Sequence, residues 1–126
     1  MRAVDTNVLV RTIVRDDPKQ AVSADEYIEG GAWVSHLVLA ETLWVLDAVY
    51  GLDRKRLAAA VEMLCSHRDL VLQEEDVVAA ALGQFRATTR VTFSDCLIVA
   101  IARKAGHMPL GTFDRQLAKQ PDTQLL

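Results

Sequence analysis

Polar and apolar positions follow two rhythms along the chain, and the points where the rhythm changes mark its elements. Arg2-Ala3-Val4-Asp5 reads as a first strand, Thr6 and Asn7 as a polar turn, and Val8, Leu9 and Ile13 as the apolar side of a short helix. Asp17 as cap and Pro18 at the first helical position open a second helix, which runs to about Glu29 and stops at Gly30-Gly31. Trp33-Val34 is a brief strand. Ser35 caps a helix that ends near Tyr50 at Gly51, and Asp53 caps another with Leu57, Val61 and Leu64 on one face. Leu70-Val71-Leu72 is a third strand. Glu74-Glu75-Asp76 opens a helix carrying Val77, Val78, Ala81, Leu82 and Phe85. Thr92 or Ser94 starts the next, which ends on Arg103-Lys104 and Gly106. Met108-Pro109-Leu110 reads as a fourth strand and Thr123-Gln124-Leu125-Leu126 as a short fifth. Strands separated by helices predict parallel pairing with helices on both faces. The expected fold is a three-layer α/β/α domain over 1–126, with a central parallel sheet of four to five short strands.

Composition fits that reading. The chain has 126 residues, 51% of them hydrophobic, enough for one domain with a real core. Cys65 and Cys96 sit in apolar helical contexts without a CxxC pair, as buried thiols of a reducing cytosol would. No apolar stretch approaches the roughly 18–20 residues that span a bilayer, and Asp5 and Arg11 break any signal-peptide core. A cytoplasmic protein without a membrane partner is expected.

Four acids change the picture. Asp5 closes the first strand, Glu41 interrupts the apolar run of its helix, Asp95 opens the apolar stretch 96–102, and Asp114 follows Thr112-Phe113. Most other acids have plain roles at helix starts or on solvated faces, where a carboxylate offsets the helix dipole by about 0.3–1 kcal/mol. Glu41 does not: at 100° per residue it falls among Leu37, Trp44, Val45 and Ala48, so burial is expected. Burying a lone carboxylate costs several kcal/mol unless a cation compensates. Four such acids at strand ends and helix starts, loci that can meet at one sheet edge, point to a divalent metal held by oxygen ligands. Taken singly, Asp5 also reads as a turn residue, Asp95 as a helix-start acid and Asp114 as a cap.

Net charge is −3, from 14 basic and 17 acidic residues; without the four acids, 14 face 13. An acidic balance therefore does not exclude a phosphate-bearing substrate. His36, His67 and His107 lack zinc spacing, and no phosphate-binding glycine loop or nucleophile elbow is present.

Val4-Asp5-Thr6-Asn7-Val8-Leu9, Leu39-Ala40-Glu41-Thr42-Leu43-Trp44, Phe93-Ser94-Asp95-Cys96-Leu97-Ile98 and Thr112-Phe113-Asp114 resemble the acidic motifs of PIN-domain ribonucleases. The compact length resembles the VapC-type toxins of type II toxin–antitoxin pairs. The resemblance implies Mg²⁺ or Mn²⁺ dependence, cleavage of RNA phosphodiester bonds, arrest of translation and growth, a homodimer and a small antitoxin partner. It implies Asp5, Glu41, Asp95 and Asp114 as the catalytic acids. Asp5 and Asp95 would be the direct metal ligands, Glu41 and Asp114 would serve a second ion or act through water, and Thr6, Asn7 and Thr112 would support them. Ser94, Cys96 and Gly111 depart from the residues usual beside these motifs. Arg11, Arg15, Arg86, Arg90 and Arg115 are candidates to track an RNA backbone. Trp44, Tyr27 and Tyr50 are candidates for an antitoxin groove, although aromatics at helical spacing are more often core. Two other functions fit the same residues: a catalytically silent module that binds RNA or protein, and an aspartyl phosphatase with Asp5 as nucleophile, for which Asn7 stands where a second Asp is usual.

Overall fold

Local capping chemistry sets most of the element boundaries in the computed structural model, which describes all 126 residues. The order is β1 (Arg2–Ala3), α1 (Thr6–Val14), α2 (Pro18–Ile28), β2 (Ala32–Val34), α3 (His36–Ala48), α4 (Arg54–Ser66), β3 (Leu70–Leu72), α5 (Glu75–Ala87), α6 (Phe93–Ala105), β4 (Leu110–Thr112), a 3₁₀ turn (Leu117–Lys119) and β5 (Thr123–Leu125). Asp17, Ser35, Asp53 and Thr92 each accept a hydrogen bond from the backbone N–H three residues on, satisfying a donor that the first helical turn leaves orphaned. At the other end of α6, Gly106 adopts φ 84°, a left-handed conformation that a Cβ would penalise.

Two boundaries differ from the sequence expectation. The first strand ends at Ala3, because Asp5 is drawn into capping α1 and Thr6 already lies in the helix. The fourth strand begins at Leu110 and includes Thr112, shifted beyond Pro109, whose nitrogen has no proton for a ladder.

The chain forms two compact units, Met1–Glu75 and Asp76–Leu126. In the first, β1, β2 and β3 form a parallel sheet with β2 central. Ala32, Val34, Leu70 and Leu72 are buried while Trp33 and Val71 face outward, the period-two pattern of a sheet with one covered face. The helix α1 packs on α2 and α3, α3 on α4, and α4 on β3. Leu9, Leu39, Leu46, Val61 and Leu64 fill this core. In the second unit β4 and β5 pair in parallel, so the strands are all parallel, as expected, but distributed over two sheets rather than one. Its core comes from Val78, Ala81 and Phe85 of α5 and Phe93, Cys96 and Val99 of α6, with Phe85 and Phe93 edge to face at 5.9 Å. Ion pairs of 2.9 Å join Lys104 to Asp76 and Arg103 to Asp122.

Candidate acidic site

In the first unit, Asp5 leaves the carboxyl end of β1 and α3 begins just beyond the carboxyl end of β2, the edge where ligands gather in parallel sheets. One oxygen of Asp5 accepts from the Val8 N–H at 3.2 Å, so the turn-residue role is real. Its second oxygen has no protein partner, and Asp5 is exposed.

Glu41 is also exposed, which corrects the expectation of burial. The face it shares with Leu37 and Trp44 points outward: Leu37 is 76% and Trp44 64% exposed. The buried face carries Leu39, Thr42, Leu43 and Leu46, on the opposite side of the helix. Apolar residues surround α3, so periodicity alone could not choose its inner face. Thr42 is fully buried on that face, and its hydroxyl donates to the Val38 carbonyl at 2.7 Å, so its burial leaves no unsatisfied polar group. Trp44 is thus a surface residue, not core.

In the second unit, Asp95 lies half-buried in the first turn of α6, with its N–H donating to the Thr92 hydroxyl at 3.1 Å. Asp114 is exposed beyond β4. The Thr112 hydroxyl accepts from the Asp114 N–H at 3.0 Å, which fixes the backbone there. One Asp114 oxygen accepts from the Gln116 and Leu117 N–H groups at 2.8 and 3.1 Å. Thr112 therefore contacts Asp114 through the main chain, not through its carboxylate. Asn7 makes no side-chain hydrogen bond and lines an apolar groove between α1 and α2 with Val8, Arg11 and Tyr27; Thr6 is buried.

None of the four acids makes an ion pair. Desolvation is therefore not what marks them; what they share is carboxylate oxygen without a cation partner, Asp5 beyond β1, Glu41 in the second turn of α3, Asp95 in the first turn of α6 and Asp114 beyond β4. No three Asp, Glu, His or Cys side chains are gathered into a group able to hold a metal ion. Carboxylate oxygens are the hard donors that Mg²⁺ and Mn²⁺ take, in a mode that uses one or two carboxylates and keeps several waters, whereas structural zinc sites take Cys and His.

The arginine candidates divide. Arg11 donates to Gln20, Asp16 and Tyr50, and Arg15 forms a two-pronged pair with Asp25 at 2.8 and 3.1 Å. Those contacts raise both guanidinium pKa values, chiefly through Tyr50 for Arg11 and through Asp25 for Arg15; the Tyr50 hydroxyl, then Arg11, hold Asp16 below the usual carboxylate range, and Arg15 does the same for Asp25. Both arginines are thus engaged in intramolecular contacts. Arg86 lies in the last turn of α5. Arg90 and Arg115 are exposed and unpaired. Of the aromatics, Tyr50 donates to Asp16 at 2.9 Å and the Tyr27 ring lies under Arg2 at 4.0 Å, so each already has an intramolecular partner. Lys119 escaped the sequence reading altogether, since an isolated lysine carries no local signal.

Both cysteines are free thiols, and no helix is long and apolar enough to cross a membrane. The family model described as PIN domain matches residues 2–122, which includes all four acids. Neither a curated protein nor a solved structure matches the chain significantly.

Proposed function

Because the chain belongs to the PIN-domain family, whose members are generally metal-dependent nucleases, we propose that it is a Mg²⁺- or Mn²⁺-dependent endoribonuclease whose catalytic acids are Asp5, Glu41, Asp95 and Asp114. The observation that carries this reading is that all four acids lie within the matched residues 2–122 and none of them makes an ion pair. Residues 1–126 act as one functional domain, which the family match across both compact units supports.

Asp5 and Asp95 are assigned as direct ligands, through the oxygen of Asp5 not used in capping and through the unbonded carboxylate of Asp95. When bound, the dication supplies charge neutralisation at the scissile phosphate and an acidified water. Glu41 and Asp114 orient the attacking water or hold a second ion. Asp114 suits that role because three backbone hydrogen bonds fix its position before substrate arrives.

Within this reading the protein is a VapC-type toxin that arrests translation in the cytoplasm until a small antitoxin neutralises it, and it acts as a homodimer. An adjacent reading frame for a small protein that relieves growth arrest on co-expression would support that role.

The direct test is cleavage of total RNA with and without Mg²⁺, comparing the intact chain with Asp95→Asn. Cleavage that requires the dication, stops with chelator and is lost in the variant is expected. Cleavage persisting in excess chelator would end the metal mechanism. RNA binding without turnover in Mn²⁺ would favour a silent binding module instead, and a stable acyl-phosphate on Asp5 would favour phosphoryl transfer.

A further inference from the structure

The second unit separates its charges. Two of its acids are spent on Lys104 and Arg103, while Arg90, Arg115 and Lys119 pair with no acid. Arg90 and Lys119 line one cavity of about 320 Å³, enclosed by the loop 87–91 before α6 and by residues 116–120 around the 3₁₀ turn. Thr89, Gln116 and Gln120 add hydrogen-bonding groups to its wall, and no Asp or Glu lines it. The Gln120 carboxamide oxygen accepts from Gln84 at 3.2 Å, which leaves its NH₂ group as a donor. Two unpaired cations and several neutral donors without a carboxylate make a receptor for an anion with multiple acceptor oxygens.

Connectivity ties this cavity to the acids. Arg90 lies five residues before Asp95, and Lys119 five after Asp114. Five residues span at most about 18 Å of extended chain. The Asp114 carboxylate itself holds the N–H groups of Gln116 and Leu117, at the start of the cavity wall.

The geometry points to a phosphate-anchoring subsite: the cavity seats a backbone phosphate of single-stranded RNA a few nucleotides from the phosphodiester that is cut. Arg90 and Lys119 supply the charge, and Thr89 and the glutamines donate to the non-bridging oxygens. This inference rests on the ribonuclease reading.

Counterion release provides the test, with binding as the readout. Fluorescence anisotropy of a labelled RNA in Ca²⁺, with its integrity checked on a gel, gives the slope of log Kd against log salt. Removing one phosphate contact from a single strand lowers that slope by about 0.7. Arg90→Gln with Lys119→Gln should lower it by about 0.7, the one phosphate seated there, and each single change by less. The charge-preserving exchange Arg90→Lys with Lys119→Arg should keep the slope of the intact chain. So should Lys55→Gln, which removes an exposed, unpaired lysine of α4. A double variant with an unaltered slope, or an equal drop in Lys55→Gln, overturns the subsite alone. RNA that binds but is never cut in Mg²⁺ removes the nuclease reading and leaves the anchor standing. An intact chain that binds no RNA removes both.

Discussion

Asp5 carries two roles that a pair of substitutions can separate. Its carboxylate caps α1 through the Val8 N–H at 3.2 Å, and its free oxygen is assigned to chemistry. Asp5→Ala deletes the cap, which costs about 1 kcal/mol within a range of roughly 0.5–2. For a chain of this length that corresponds to a Tm lower by about 3–5 °C. Asp5→Asn keeps an oxygen acceptor, since Asn and Asp cap comparably, and loses only the charge–dipole part, about 0.3–1 kcal/mol at an exposed terminus. Asn at this position should therefore melt about 1–5 °C below the intact chain and above Asp5→Ala, yet lose cleavage by at least about 100-fold, the scale expected when a directly acting polar group is removed. Thermal denaturation followed by circular dichroism, beside a cleavage assay in Mg²⁺, reads both quantities. If Asp5→Asn keeps its cleavage rate, Asp5 is a cap and nothing more. If Asp5→Ala melts with the intact chain, the capping argument fails.

Three further outcomes follow from burial and charge. Leu46→Ala, at a fully buried site of α3, should cost about 2–5 kcal/mol in urea unfolding, whereas Trp44→Ser on the exposed face should stay within about 0.5 kcal/mol; equal effects would reverse the assignment of faces. The Arg15 guanidinium holds Asp25 below its usual range, so this pair stabilises the fold above the unfolded carboxylate pKa of about 3.9 and is lost as pH falls through the lower folded value. Asp25→Asn should accordingly show a smaller loss of Tm between about pH 6 and pH 3 than the intact chain, and an equal loss would dismiss the pair. Burial first, then Glu75 and Glu62, push the Cys65 thiol up. It should react with Ellman's reagent more slowly than free cysteine at about pH 8, and faster after Glu62→Gln; no acceleration would dismiss the contribution of Glu62.

The sequence by itself determined the succession of strands and helices, because caps and stops are local: Asp17-Pro18, Ser35, Asp53, Thr92 and Gly106 act within a turn of where they stand. It also singled out the four acids, since each interrupts or abuts an apolar run. Their environment is not written locally. The helix α3 is apolar on several sides, and only packing turns Thr42 to the core and Leu37, Glu41 and Trp44 outward. Tyr50, which joins Arg11, and Asp25, which pairs with Arg15, lie 39 and 10 residues away from them, beyond the reach of a single turn. Lys119 and Arg90 became a pair only when the 3₁₀ turn and the loop before α6 enclosed one cavity. Hydrogen-bonding within one turn is written in neighbouring residues; the choice of which face turns inward, and which charges remain unpaired, depends on long-range contacts that exist only once the chain has folded.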